Sequence, residues 1–139
     1  MVCRRLLVTN NPQLCPVVRS CVFVEGTTLD VLLRVRDHVH LGWRLLTHPL
    51  YGNLRPHQHL YRSILLERQE GSVDLESLDY MESALRIYTA ESRRIMSADG
   101  IPEEHREDFA FVDYELIKES LLQYGMVTAD GALPSGGRR

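Results

Sequence analysis

The sequence predicts an α/β fold: a small sandwich with a mostly parallel four-stranded sheet, its elements in the order β-β-α-β-β-α-α. Three observations predict it. Residues 21–47 run apolar segment, helix-periodic segment, apolar segment with minimal connections, the pattern of a β-α-β unit with parallel strands. Residues 2–9 place another strand-length apolar run ahead of that unit. Two long stretches of helical period, 74–97 and 103–124, follow the last apolar run. A chain of 139 residues, 44% hydrophobic and 25% charged, has the size and composition of one domain and can hold a core without disulfides or metal. The expected organisation is a single α/β domain over 1–125 and a flexible C-terminal tail over 126–139.

The elements follow in order. Residues 2–9 read as a buried strand ended by Asn10-Asn11-Pro12, because Asn and Pro form turns and the residue before Pro is pushed from the helical region. Residues 13–20 form a short crossover broken at Pro16. Residues 21–25 are a second strand closed by Gly26. Thr27 and Asp30 fit a capping box for a helix over 28–41, whose apolar stripe is Leu29, Leu32, Val35 and Val39. Gly42 ends that helix, and 43–47 form a third strand stopped by His48-Pro49. Residues 48–60 are too polar and too rich in Pro and Gly for an element. Such a loop can return the fourth strand, 61–67, in either direction. Asp74 caps the helix over 74–97. Asp99-Gly100-Ile101-Pro102 breaks the chain before the last helix, whose inner face is expected to carry Phe109, Val112, Leu116 and Ile117.

Charge and cysteine usage narrow the function classes. Sixteen basic and nineteen acidic residues give a net charge of -3, which disfavours nucleic acid as a partner. The sum hides a split: residues 1–62 hold eight basic and three acidic side chains, and 63–139 hold eight and sixteen. Three cysteines without a C-x-x-C pair suggest neither a disulfide framework nor zinc, so Cys3 and Cys21 are expected to be small core residues. No apolar run approaches a membrane span and no signal peptide opens the chain, which points to the cytoplasm.

The common signatures of P-loop, dinucleotide-binding, serine-hydrolase and zinc-protease sites are missing from the sequence, so no catalytic residues and no cofactor are assigned. Geometry supplies a candidate site instead. In parallel sheets, ligands bind beyond the carboxyl ends of the strands. If the first three strands are parallel, Asn10, Asn11, Glu25, Gly26, Thr47 and His48 converge on one edge, with Gly52 and Asn53 in the loop above. The helix starting at Thr28 then aims its free N–H groups at the same place, which favours a small polar or anionic ligand. The competing account is that Asn-Asn-Pro and His-Pro are turn punctuation and Thr27 a cap. Glu25 and His48 also suggest an acid/base pair, though no nucleophile stands beside them. His48, His57 and His59 share a loop, and His38 and His40 end a helix, yet no Cys or carboxylate completes a ligand set. No metal site is assigned, and solvated loop histidines are expected. The acidic faces of the last two helices are either solvated or suited to a basic partner.

The segment Thr9-Asn10-Asn11-Pro12 after an opening strand resembles the start of the GrdX family. So do Val24-Glu25-Gly26-x-x-Leu29-Asp30-Val31-Leu32 and Val35-Arg36-Asp37-x-Val39-His40-x-Gly42. The nearest likeness is Leu45-Leu46-Thr47-His48-Pro49-Leu50-x-Gly52-Asn53-Leu54-x-Pro56, with Tyr61-x-Ser63 beyond it. The resemblance runs from residue 5 to about 125. It departs from the family in a shorter first crossover, 12–20, and in His57 and His59, where other polar residues are expected. GrdX proteins are encoded alongside glycine, sarcosine and betaine reductase components, selenoprotein complexes that use thioredoxin as reductant. The resemblance therefore implies an accessory protein of that system, non-catalytic, acting in assembly, maturation or regulation, with reductase subunits as partners. It implies a pathway and no mechanism. The alternative is a ligand-binding protein or enzyme using the sheet-edge pocket.

Overall fold

A computed structural model of the chain describes residues 4–50 and 56–127. The strands are β1 (Arg5–Thr9), β2 (Cys21–Phe23), β3 (Trp43–Leu45) and β4 (Ser63–Arg68). The helices are α1 (Thr28–His40), α2 (Leu75–Ala90) and α3 (Glu103–Gln123), with short 3-10 turns at Pro56–Gln58 and Ser92–Arg94. The predicted element order holds, and α2 ends at Ala90 rather than near 97. No helix among the described residues is long and apolar enough to cross a membrane.

The sheet corrects one expectation. Its order is β2-β1-β4-β3, and it is mixed, not mostly parallel. β1 pairs β2 in parallel, but β4 runs antiparallel to both β1 and β3. β1, β2 and β3 do share a direction. The β-α-β unit of 21–47 spans the sheet from edge to edge, with two other strands between its own. Burial explains the order. Leu6-Leu7-Val8 in β1 and Ile64-Leu65-Leu66 in β4 are buried on both faces and take the centre, paired residue for residue. The shorter and more exposed β2 and β3 take the edges.

Alternation along the two central strands splits the core into layers. Leu6, Val8, Ile64 and Leu66 face α1 and α2, meeting Val31, Leu32, Val35 and Val39 of one helix and Met81, Leu85 and Tyr88 of the other. Leu7 and Leu65 face the opposite way, onto Ile117 and Leu121 of α3 and onto Leu14 and Val18 of the 11–20 turns. Met126, at the start of the segment expected to be a tail, is buried in this second layer, and residues 128–139 lie outside the described residues.

Two cross-links hold the strand ends. Glu67 on β4 stands in register with Arg5 on β1 and Arg44 on β3, and it accepts from Arg5 Nε at 3.3 Å and Arg44 Nη2 at 2.7 Å. Partial desolvation alone would raise the Glu67 pKa, but the two guanidiniums outweigh it and hold the carboxyl below its ordinary value. Such half-exposed pairs contribute little each, about 0–1 kcal/mol.

The second cross-link is a disulfide between Cys15 and Cys21, with Cα atoms 5.3 Å apart. This corrects the expectation of unpaired cysteines. The third cysteine, Cys3, leaves the count odd and hides the pair. The bond ties the crossover to the start of β2, beside Leu14 and Val18. Closing so short a loop stabilises the fold by about 2 kcal/mol in the chain-entropy account. Cys15→Ser is therefore expected to cost about 2 kcal/mol in urea unfolding under oxidising conditions. In the presence of dithiothreitol the variant and the reduced wild type should unfold alike.

Candidate functional site

β1 ends in two adjacent asparagines, and the structure buries both. Asn10 joins three segments. Its Nδ2 donates to the Gly26 carbonyl at 2.9 Å and to the Leu60 carbonyl at 3.2 Å, while its Oδ1 accepts from Arg62 N at 2.9 Å. Asn11 reaches the other way. Its Nδ2 donates to the Ala110 carbonyl at 3.1 Å and to Asp113 Oδ2 at 3.0 Å on α3, and its Oδ1 accepts from Gln13 N at 3.0 Å. The pair is more than turn punctuation, and both amides are committed to the chain itself.

Asp113 is a buried carboxylate on a helix face otherwise made of Ala110, Ile117 and Leu121. Ser63 Oγ donates to its Oδ2 at 2.6 Å. With the Ser63 proton so placed, the 2.6 Å contact between Ser63 Oγ and Thr9 Oγ1 is donated by Thr9, and Thr9 Oγ1 in turn accepts from Asn11 N at 2.9 Å. A single direction runs through the chain of bonds, from Asn11 N to Thr9 to Ser63 to the carboxylate. Such a network supports a buried charge only while its members are satisfied.

The other predicted residues do not close on this point. Glu25 is exposed beyond β2, and Thr47 and His48 lie beyond β3. β2 and β3 are opposite edges of the sheet, three strand spacings or about 14 Å apart. The Glu25–His48 acid/base pair therefore does not form. Thr47 Oγ1 accepts from Leu65 N at 3.1 Å and extends the β3–β4 ladder. His48 Nδ1 accepts from Leu50 N at 2.9 Å, and its ring meets Tyr80 edge-on. Gly52 and Asn53 lie outside the described residues.

The N-terminus of α1 is closed by its own cap. Thr27 Oγ1 accepts from Asp30 N, and the Asp30 carboxylate accepts from Thr27 N at 2.8 Å. The Asp30 charge occupies the place suggested for an anion. Gly26 belongs to the same device: at φ +154° a Cβ there would fall 2.3 Å from Asp30 Oδ2, so the residue keeps the capping box intact.

A polar pocket of about 210 Å³ opens instead on the α3 side of the β1 end. It is lined by Pro12, Gln13, Tyr61, Glu103, Arg106 and Glu107. Burial raises the Tyr61 pKa, and the Arg106 guanidinium offsets part of the rise. The Arg106 guanidinium, which also donates to the Ile101 carbonyl, shares the lining with two carboxylates and a phenol, a set that suits a small molecule of mixed charge. Sequence reading gave no site role to Ser63, Asp113, Tyr61 or Arg106, although Tyr61 and Ser63 stand in the family likeness. The available signal was Asp113 itself, a carboxylate at helical spacing from Ala110, Ile117 and Leu121.

The histidines are not all solvated. His57 is exposed, but His59 is 3% exposed and its Nε2 has no hydrogen-bond partner among the described residues. Burial, reinforced by the charge of fully buried Arg62, pushes the His59 pKa from 6.5 down to about 4. Arg62 Nη1 donates to the Pro49 carbonyl at 2.9 Å. Among the described residues no group of three or more His, Cys, Asp or Glu could hold a metal ion.

Compared with known proteins, residues 6–122 match the family model described as GrdX-like protein. Neither a curated protein nor a solved structure matches.

Three outcomes test the site's energetics. Asn11→Ala strips Asp113 and the Ala110 carbonyl of a buried donor and should cost about 3 kcal/mol in urea unfolding. His48→Ala, on an exposed side chain, should cost about 0.5 kcal/mol. His59 is neutral in the fold and protonates in the unfolded chain near 6.5. The unfolded state then binds the extra proton as pH falls, so stability is full above 6.5 and declines toward about 4, by at most about 1.4 kcal/mol per pH unit. In His59→Gln the unfolding midpoint should fall less steeply over that window.

Proposed function

The chain belongs to the GrdX-like family, and from that membership we propose an accessory role in the glycine, sarcosine and betaine reductase system. Membership suggests the association with glycine reductase, and the accessory role is our reading of it. In this reading the protein is non-catalytic and cytoplasmic, with the Cys15–Cys21 bond open to reduction there, and it assists assembly, maturation or regulation of the reductase complex through contact with its subunits. The observation that carries it is the fate of the polar residues at the end of β1. Asn10, Asn11, Thr9 and Ser63 are bound to one another, to backbone and to Asp113, so they act as a brace and present no reactive group.

A second reading rests on the pocket at Tyr61, Glu103, Arg106 and Glu107, whose mixed charge suits a small polar ligand. Affinity capture of the tagged full chain from cells growing on glycine tests the first reading. Reductase subunits should be retained under mild conditions, and their absence overturns the accessory role. A thermal-shift screen with glycine, betaine, acetyl phosphate and phosphate tests the second. A rise in melting temperature that disappears in Arg106→Ala supports the pocket, and a flat response across the panel removes it.

A further inference from the structure

α3 carries more apolar surface than the fold uses. Its sequence places Phe109, Val112, Leu116 and Ile117 at helical spacing, which reads as an inner face. The structure turns the helix so that Ala110, Asp113, Ile117 and Leu121 point inward. The cause is Asp113: its hydrogen bonds to Asn11 and Ser63 aim that side of α3 at the sheet. Of the predicted inner stripe, Ile117 is buried and Phe109 is half-buried against Leu60, Tyr61 and Ala110, while Val112 at 45% and Leu116 at 39% exposure are left outside.

The upper part of this stripe is one wall of a groove of about 420 Å³. Met96 and Ile101, from the segment between α2 and α3, form the opposite wall; His105, Asp108, Phe109 and Val112 line the α3 side. That volume lies in the range of ~300–1,000 Å³ usual for clefts that accept ligand groups. Val112 is exposed and Met96, Ile101 and Phe109 are half-buried, and an apolar groove of this kind bordered by charge marks a binding surface.

Charge selects the occupant. α3 bears seven acidic and two basic residues. Lys118 is already paired with Glu115 at 3.2 Å, and Arg106 is turned to the Ile101 carbonyl. Asp108 lines the groove, exposed Glu104 lies one helical turn from it on the same side of α3, and Asp99 precedes Ile101 on the other wall. Arg93 and Arg94 stand on the turn before Met96, so the α3 side supplies the acidic border.

We infer that the groove between α3 and the Met96–Ile101 segment is a docking site for a basic amphipathic helix of a partner protein. Apolar residues of that helix enter between Ile101, Phe109 and Val112, and its Lys or Arg side chains meet Glu104, Asp108 and their neighbours. This is helix-in-groove recognition, with the acidic border steering encounter and setting orientation. The inference deepens the accessory reading and rests on it, since it states the chemistry by which a subunit would be held.

The test uses the full chain, isotope-labelled, titrated with an amphipathic Leu/Lys helical peptide and separately with its Leu/Glu counterpart. The Leu/Lys peptide should shift the amide signals of Ile101, His105, Phe109 and Val112 and weaken in binding as salt rises. Val112→Glu, at an exposed position, should reduce affinity about tenfold, as should Asp108→Lys. Equal binding of the Leu/Glu peptide, shifts centred on another surface, or unchanged affinity in Val112→Glu would each overturn the inference. Unchanged near-ultraviolet circular dichroism of both variants shows that a lost interaction is not lost folding. The two readings separate in capture from cells. Subunits retained equally by Val112→Glu and wild type overturn the groove and leave the accessory role. No subunit retained by either, with the peptide result intact, overturns the accessory role and leaves the groove.

Discussion

The constraint on which the rest of the structure depends is the pair of buried asparagines at the end of β1. Each side chain amide bridges segments far apart in sequence, Asn10 toward the loops flanking β2 and β4 and Asn11 toward α3. Buried backbone groups at a strand end need partners, and a carboxamide offers two donors and an acceptor on one rigid plane. Asn10 satisfies the Gly26 and Leu60 carbonyls and the Arg62 amide in this way. The arrangement sets where β2 leaves the sheet, where β4 enters it, and how α3 lies across the second face.

Asp113 extends that constraint into the rotation of a helix. A carboxylate buried at the sheet needs hydrogen-bond donors, and Ser63 and Asn11 supply two of them at one place. α3 therefore presents Ile117 and Leu121 to Leu7 and Leu65 and Ala110 to Leu60 and Tyr61, and leaves Val112 and Leu116 exposed. One polar contact thus decides which apolar surface becomes core and which becomes available to a partner. The Cys15–Cys21 bond and the packed Leu14 and Val18 hold the neighbouring crossover against the same helix.

Much of the local structure was legible in the residues. The Thr27–Asp30 capping box, the Asp74 cap and the element order follow from short-range chemistry and match the structure. The candidate site was legible in part. Asn10 and Gly26 do meet, but as a brace, Asn11 turns to α3, and Glu25 and His48 end on opposite edges. Their convergence required β1, β2 and β3 to be neighbours, and a loop of thirteen residues leaves the position of β4 open. The disulfide was masked by a third cysteine, and buried His59 by a polar, proline-rich context that reads as solvated loop.

Hydrophobic period, caps and turn residues are local, so the chain's own order sufficed for an α/β class, three helices, four strands and a likeness to one family. Strand neighbours, the antiparallel insertion of β4 and the rotation of α3 were decided in the assembled fold. The pairing of β1 with β4 and the rotation of α3 rest on contacts between residues 50 to 102 positions apart, Ser63 and Asn11 with Asp113 among them. No periodicity within a single segment records such a contact. Its energy arises when the carboxylate leaves water and finds its donors already in place.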